Sequence, residues 1–507
     1  MKKKKFLSVA LVAAMTATLM AGCGSSTDGG NNGGSTSGNR NGGSEKVHIN
    51  VYRDCFNLAS SDTAQVKKVE DAINKYLDEK GANVEISLTE ASSGEYAEKA
   101  NLALANKEIN LLWTASWLGT VGTNDLVPAE SVYDITDLLK GTALYSSMDA
   151  GQWEATKYNG KNYFIPVYKD NVEGYDFMFR QDLLDKYGFD QTKVKKLADL
   201  EPYLAKAKAD GLKYPFLTQK TAMFYRWYIN DFDFFTADNA ANWVAVDRAT
   251  NSVVNTIQTP QYKEFCTLMS DWSEKGYISE DEYTKLTPEQ ATSSKDWAVS
   301  WWTDIPVNDE ADSRYGQDVT MQPATDRWAH STSALGSCYC VTANSNEAQA
   351  KACIEFMGLL YTDSKLADMY TFGIEGEDFN YEGEGASKKV RQTDAGKYNH
   401  SMWESASATV VTPLYNEPDN KADLYKTFNG GANTSSAAGF RFDKSPVSAE
   451  YTACTEVFNT YGFALENGGF KASEVDAKIA EYQKALDAAG YQTVLAEFQK
   501  QYDAWKK

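Results

Sequence analysis

The chain has 507 residues, with 70 Asp and Glu against 50 Lys and Arg, and its formal net charge at pH 7 is −20. This acidic balance argues against highly anionic partners, so we expect the folded part to bind neither nucleic acid nor an anionic lipid surface. Three histidines occur at scattered positions without metal-ligand spacing, and the sequence therefore predicts no metal site.

The first residues predict an export signal. Lys2–Lys5 precede an apolar segment, Phe6–Met20, which is shorter than the roughly 20 residues that a membrane-spanning helix needs. The segment ends in Ala21-Gly22-Cys23, which resembles the lipobox of bacterial lipoproteins, where the cysteine after the cleavage site receives a diacylglyceryl group. We predict that residues 1–22 are a signal peptide and that Cys23 is lipidated. An ordinary secretory signal with a chance cysteine is the alternative.

A tether is predicted to follow the signal. The residues from Gly24 to Glu45 are almost all Gly, Ser, Asn and Thr, which leaves no apolar surface to bury. Residues 23–45 should therefore hold the folded part flexibly at the extracellular face of the cell membrane. No later segment is apolar enough to cross a bilayer, and the remaining chain is too long for a single core, so we expect at least two lobes.

The other six cysteines show neither a CxxC pair nor the dense spacing of a disulfide scaffold. We expect reduced core residues, with a single disulfide as the alternative. These cysteines are Cys55, Cys266, Cys338, Cys340, Cys353 and Cys454.

Alternating apolar patterns predict a β-α-β-α-β order at the start of the folded part. Strands are expected at 47–52, 84–88 and 109–113, with a helix capped by Asp62 and a second helix that begins near Tyr96. This order implies a parallel sheet, in which ligands bind at the carboxyl ends of the strands. No GxGxxG or GxxxxGK[ST] motif follows any of the strands, so we expect no nucleotide cofactor, and the sequence points to no other cofactor.

Asn159-Gly160 predicts a two-residue hairpin turn. The sequence NGKNYFIP at 159–166, followed by FRQDLLDKYGFD at 179–190, resembles the first hinge crossing of bacterial family 1 extracellular solute-binding proteins. The segments FGIEGEDF at 372–379 and 439–505 are similar to the LipO-like branch of that family. Its members are lipoprotein receptors of ABC importers, most of them for sugars.

The resemblance implies an α/β fold with two lobes of the class II periplasmic-binding-protein type, hinge crossings and a helical C-terminal extension. We assign residues 46–168 with about 296–335 to an N-terminal lobe and residues 169–295 with about 336–400 to a C-terminal lobe. The helices of residues 401–507 are expected to pack on the lobes.

The composition agrees with a sugar ligand. Aromatic residues make up 13% of the chain, including 30 Tyr and 12 Trp, and these side chains combine an apolar face with a polar tip, as sugar rings do. Trp117 follows the third strand at a ligand-facing end, where it is either a stacking platform or a core residue. Trp301 and Trp302 alternate on a strand, so one of them is expected in the cleft. Asp304 follows that strand and either accepts hydrogen bonds from sugar hydroxyls or caps a turn.

Further contacts are predicted with less support from the pattern. Tyr96 opens the second helix, Trp227 lies on the second lobe, and Tyr168 lies at the hinge. Arg53 lies at the carboxyl end of the first strand and Glu375 lies in the FGIEGEDF segment, and exposure to solvent alone would also explain either charged side chain.

The predicted function is capture of a sugar or oligosaccharide by hinge closure and delivery to the permease subunits of an ABC transporter by a monomeric, lipid-anchored receptor. No GxSxG, HExxH or comparable catalytic motif occurs, so we expect a binding protein rather than an enzyme. The alternatives are a lipid-anchored glycoside hydrolase and a peptide receptor of the same fold.

Overall fold

The structure is a computed structural model that describes residues 46–57, 60–219, 221, 223–234, 242–279, 294–307, 318–330, 332–393 and 397–506. The predicted signal peptide, the lipidation site Cys23 and the tether lie outside the described residues. Within the ranges given, no helix has the length and apolar character needed to cross a membrane.

The predicted β-α-β-α-β order is confirmed. The Asp62 carboxylate accepts hydrogen bonds from the backbone N–H groups of Ala64 and Gln65, at 3.1 and 3.2 Å, and so begins the first helix. The five elements are β1 (Val47–Asp54), α1 (Thr63–Glu79), β2 (Val84–Ala91), α2 (Ser93–Ala105) and β3 (Leu111–Thr114). β2 and β3 both pair in parallel with β1, which brings their carboxyl ends to one edge of the sheet.

The predicted hairpin turn is also confirmed. Asn159 and Gly160 join two short antiparallel strands and have φ angles of 50° and 79°, which suit the left-handed conformation that an Asn-Gly turn needs. The elements of this part are α3 (Thr123–Leu126), α4 (Thr136–Leu139), α5 (Ala143–Ser146), α6 (Ala150–Ala155), β4 (Lys157–Tyr158), β5 (Lys161–Asn162), β6 (Phe164–Pro166), β7 (Tyr175–Arg180) and α7 (Gln181–Tyr187).

The middle of the chain contains an antiparallel hairpin at 244–255 and a long helix at 260–274. Its elements are α8 (Glu201–Ala209), β8 (Tyr214–Phe216), α9 (Phe224–Trp227), β9 (Phe232–Asp233), β10 (Val244–Asp247), β11 (Ser252–Asn255), α10 (Pro260–Glu274), β12 (Trp297–Thr303), β13 (Val319–Pro323), β14 (Trp328–Ala329) and β15 (Cys338–Val341).

The last part is mainly helical, and its final helix buries Tyr491, Val494, Phe498 and Tyr502 against the second core, while Leu495 is half-buried and Trp505 is exposed. Its elements are α11 (Glu347–Leu360), α12 (Ser364–Phe372), β16 (Phe379–Glu382), β17 (Lys389–Gln392), α13 (Met402–Ser405), α14 (Lys421–Gly430), β18 (Asn433–Thr434), α15 (Ser448–Val457), α16 (Phe463–Glu466), α17 (Val475–Ala488) and α18 (Tyr491–Trp505).

Three sheets and two separate hydrophobic cores define two lobes. The first lobe contains the sheet β2-β1-β3-β15-β6, and the second lobe contains the sheets β13-β7-β12-β8 and β11-β10-β9. Residues 402–425 pack on the first core, whereas residues 437–502 pack on the second. The two-lobed α/β fold predicted from the sequence is therefore the fold observed.

Two segments lie in the opposite lobe from the one expected. β12, which was assigned to the first lobe with 296–335, pairs with β7 and β8 in the second lobe. β15, which was assigned to the second lobe with 336–400, pairs antiparallel with β3 and β6 in the first lobe. The hydrophobic pattern located both strands correctly, but the partner of a strand depends on long-range pairing that its own pattern does not specify.

All six cysteines after residue 45 are buried and unpaired, as the spacing predicted. Burial in an apolar core raises the pKa of the Cys340 thiol, which keeps it protonated and unreactive.

Candidate ligand-binding site

A cavity of about 940 Å³ is lined by side chains of both lobes. The first lobe contributes the loop after β3, the residues around α13 and the start of α14, while the second lobe contributes β7, β9 and β12. The segment around His330 completes the wall between them. A ligand in this cavity therefore contacts both lobes at once.

Trp117 lies at the mouth of the cavity, at the carboxyl end of β3, where the sequence placed it. Its side chain is 45% exposed and lines the cavity, while its indole N–H donates to the Gly336 carbonyl at 2.7 Å. The rings of Phe56 and Trp113 pack against it at angles of 61° and 63°. The hydrogen bond and the edge contacts hold the indole in one orientation, so an open ring surface remains for a ligand.

Trp403 extends this aromatic surface, and the sequence analysis missed it. Its ring centroid lies 4.9 Å from that of Phe56 and 6.1 Å from that of Trp113, and it lines the cavity. Trp403 belongs to the short helix α13, which the capping box formed by Ser401 and Glu404 begins. That capping signal is visible in the sequence, but nothing local indicates that the helix packs beside β3.

The second lobe presents Trp301 and Trp302 from adjacent positions of β12. They belong to different apolar clusters, as strand alternation predicts, yet both line the cavity. The Arg226 guanidinium lies 3.8 Å from the centroid of the Trp301 ring, and the indole N–H of Trp301 donates to Thr218 O at 3.2 Å. A cation–π contact and a hydrogen bond thus fix the ring that faces the cavity.

A buried ion pair joins Glu173 and His330 at the cavity wall. His330 Nε2 contacts one oxygen of Glu173, and the Tyr175 hydroxyl donates to the other. Burial opposes ionisation of the carboxyl group, but His330, the Tyr175 hydroxyl and Arg226 together outweigh it and lower the pKa of Glu173 to about 2. The pKa of His330 is raised in turn, because the carboxylate outweighs the effect of burial. Both pKa shifts favour the ionised form of the pair.

A second buried pair is formed by Asp233 and Arg248. Arg248 Nη1 lies 3.1 Å from Asp233 Oδ2, and its Nε donates to the Ile229 carbonyl at 2.7 Å. The guanidinium carbon also lies 3.8 Å from the centroid of the Trp328 ring. Arg248 is thus held by a carboxylate, a carbonyl and an aromatic face, which leaves it little freedom to reach a ligand.

Arg53 and Tyr96 do not line the cavity, contrary to expectation. The Tyr96 ring is fully buried and its hydroxyl donates to the Trp113 carbonyl. Arg53 is buried against the Tyr370 ring and pairs with Glu90 at 2.8 Å. Tyr96 belongs to α2 and packs on Tyr52 and Trp113, while Arg53 is covered by the rings of Tyr370 and Tyr398.

Arg53 nevertheless lies close behind the cavity. Glu90 Oε1 is 2.9 Å from Nε2 of His400, a residue of the cavity wall. Burial opposes ionisation of Glu90, but His400 and Arg53 together lower its pKa to about 2. Arg53 therefore supports the wall through Glu90.

The remaining predicted contacts also lie away from the cavity lining. Asp304 is buried and pairs with Arg327, and Trp227 stacks on Phe177 with ring centroids 4.9 Å apart. Tyr168 is buried in the first core, and Glu375 is exposed. We leave these four residues out of the proposed site.

A family model described as bacterial extracellular solute-binding protein matches residues 71–375, which is more than half of the chain. A second model, described as a domain of unknown function (DUF3502), matches residues 436–507. A carbohydrate ABC transporter substrate-binding protein of Streptococcus pneumoniae serotype 4 is 27% identical over 447 residues, which cover 86% of this chain and 87% of the relative.

Solved structures share the fold at low identity. The N-glycan transport solute binding protein of Streptococcus pneumoniae superposes with a TM-score of 0.76 at 24% identity, and the match covers 90% of this chain and 99% of the other. An HMO-binding solute-binding protein of Bifidobacterium longum infantis superposes with a TM-score of 0.62 at 15% identity, covering 92% of this chain and 100% of the other. The family match and the two-lobed fold lead to one conclusion: the chain belongs to the bacterial extracellular solute-binding proteins.

Proposed function

We propose that the protein captures a carbohydrate outside the cell and delivers it to the permease subunits of an ABC transporter. The observation that carries the proposal is one cavity with tryptophan rings from both lobes, Trp117 and Trp403 on one side and Trp301 on the other. Aromatic rings stack on the apolar faces of sugars, and the polar groups between them can bond to hydroxyls. The described carbohydrate-binding relatives support the same ligand class.

The size of the cavity favours an oligosaccharide. At about 940 Å³ it lies near the upper end of the range for small-molecule sites, roughly 300–1,000 Å³. A single sugar ring would leave most of that volume to water and would not bridge the aromatic surfaces of the two lobes.

A transporter must distinguish the ligand-bound receptor from the free receptor. We propose that the two forms differ in conformation, because the hinge closes when the ligand binds. A ligand that touches Trp117 and Trp301 together binds the closed arrangement better than an open one and shifts the population toward it.

The two lobes also contact each other directly in this structure. Lys444 lies 3.1 Å from Asp125, and Arg441 Nη2 donates to Ala155 O at 2.8 Å.

Anchoring completes the proposal. Lipid on Cys23 would keep the receptor at the extracellular face of the membrane, beside its permease, while residues 24–45 let the folded part reach it. Delivery needs no second copy of the chain, so we propose a monomer.

We propose binding without turnover. A retaining or inverting glycosidase needs a carboxylic acid that donates a proton to the leaving group. Glu173, with a pKa of about 2, is ionised and cannot fill that role near neutral pH, and Asp233, whose pKa is raised by burial, is held by Arg248. Incubation with oligosaccharides followed by chromatography tests this point, and product formation would favour the hydrolase alternative.

A thermal-shift screen against glycans and peptides tests the ligand class. Raised melting temperatures with glycans alone support the proposal, whereas stabilisation by peptides alone would support the peptide-receptor alternative. For a glycan that binds, small-angle scattering should show a smaller radius of gyration in the saturated protein than in the free protein. An unchanged radius would argue against hinge closure.

A further inference from the structure

We propose that the cavity selects uncharged glycans and rejects those that carry carboxylates, such as uronic or sialic acids. This inference rests on the proposed function and narrows it to one chemical class. It follows from the ionic side chains of the cavity wall, which are already paired inside the protein.

Among the described residues, every carboxylate that lines the cavity has a cationic partner that also lines it. The pairs are Asp170 with Lys169, Glu173 with His330, Asp233 with Arg248, and Glu417 with Lys421. The wall therefore contains both acidic and basic side chains, and each cation of these pairs lies beside its own carboxylate.

The Lys421–Glu417 pair shows how completely such a cation is engaged. Nζ of Lys421 lies 2.6 Å from Glu417 Oε2, and the lysine side chain is only 2% exposed. The same carboxylate oxygen accepts the Leu414 N–H at 2.8 Å. Lys169 is held in a similar way, 3.2 Å from Asp170 Oδ1 and 3.3 Å from the Asp170 carbonyl.

His400 is the remaining basic side chain of the described wall, and two carboxylates that do not line the cavity lie beside it. Its Nε2 is 2.9 Å from Glu90 and its Nδ1 is 3.4 Å from Glu404. Both carboxylates are buried and lie outside the cavity lining, so a positive charge on His400 is matched inside the protein and is not free for an acidic sugar.

These ion pairs determine whether a charged or a neutral ligand binds at the lower energetic cost. A buried ion is tolerated because its partner compensates for lost hydration, and removal of that partner is strongly unfavourable. An acidic sugar would have to draw a cation away from its carboxylate or lie in the cavity without one. Neutral hydroxyl groups avoid both costs, since they donate to spare lone pairs of the paired carboxylates and leave every ion pair intact. The net charge of −20 adds a long-range repulsion of anionic ligands.

The test is a binding screen with glycans in matched neutral and acidic pairs. The pairs are mannotriose with trimannuronate, galactotriose with trigalacturonate, and a galactose-terminated biantennary N-glycan with its sialylated form. We expect that, for each pair in which binding occurs, the acidic member binds at least about tenfold more weakly by calorimetry. An acidic member that binds as tightly as its neutral partner would overturn the inference and leave sugar capture standing. If neither glycans of this set nor those of the wider screen bind, the proposed function fails and the inference fails with it.

Variants that release a cation test the cause. Glu417→Gln keeps the acceptor for the Leu414 N–H but removes the counter-charge of Lys421, so the ratio of acidic to neutral affinity should rise about tenfold. Asp170→Asn should have the same effect through Lys169 and guards against a folding defect of the first variant. The matched control is Glu347→Gln, which unpairs the exposed Lys351 on α11, outside the cavity lining, and should leave the ratio unchanged. A ratio that stays constant in both cavity variants would contradict the pairing argument.

Discussion

Replacement of Trp117 by alanine is expected to weaken glycan binding while the fold survives. The side chain is 45% exposed at the cavity mouth, and its indole N–H is already used by Gly336 O. The ring surface is therefore what the ligand can use. Stacking of a base on an aromatic ring, a comparable contact, contributes roughly 1–3 kcal/mol. At about 1.4 kcal/mol per decade, Trp117→Ala should reduce the affinity by about 10- to 100-fold.

The expected cost in stability is smaller than for a core tryptophan. Truncation of a buried Trp costs roughly 3–5 kcal/mol of unfolding free energy. Trp117 loses one hydrogen bond, of about 1 kcal/mol, and edge contacts with Phe56 and Trp113, while nearly half of its surface was never buried. We therefore expect a loss of about 2 kcal/mol.

Calorimetry and chemical denaturation of the same preparation measure the two effects separately. The matched control is Trp505→Ala, because Trp505 is 38% exposed and packs on Phe440 and Tyr502 but does not line the cavity. It should lose comparable stability and no affinity. If Trp117→Ala binds the glycan as the native chain does, the platform interpretation is refuted and Trp117 is a packing residue.

Other side chains yield further expectations. Trp301→Ala should lower the affinity by about tenfold by calorimetry, and Trp301→Phe should recover part of it, because Arg226 can still stack on the smaller ring. Burial and the nearby Asp304 raise the pKa of Asp176 to about 8, above its value in the unfolded chain. The protonated form therefore stabilises the fold at low pH, and this stability is lost as the pH rises through about 8. Asp176→Asn should therefore gain stability relative to the native chain between about pH 5 and about pH 8 in denaturation curves, and a constant difference would contradict this assignment. Cys23→Ser should abolish labelling with fatty acid in the producing cell, and continued labelling would show that the lipobox interpretation is wrong.

Much of the secondary structure was predictable because it depends on neighbouring residues. The alternation in β1 and β2, the Asp62 cap of α1 and the Asn159-Gly160 turn each depend on contacts within a few residues. Trp117 was located by one further rule, that parallel strands open their carboxyl ends toward a ligand. The family resemblance added the two-lobed fold.

The exchange of strands between the lobes was not predictable from the same patterns. β12 is as apolar as a strand of either sheet, and its pairing with β7 and β8 brings together residues far apart in the chain. The side chain of Arg53 was misplaced for a similar reason. Its burial depends on Glu90, Tyr370 and Tyr398, none of which is a near neighbour in sequence.

By itself, the sequence determined the helices and strands, the acidic charge, the aromatic content and the position of Trp117 at a strand end. Only the tertiary structure decided which rings share a cavity and which charges cancel there. Trp403 meets Trp113, and His330 meets Glu173, only after segments distant in the chain have packed together, whereas Lys421 and Glu417 are four residues apart. The physical reason is that secondary structure arises from local hydrogen bonding and periodic burial, whereas a binding site arises from contacts between segments distant in the chain.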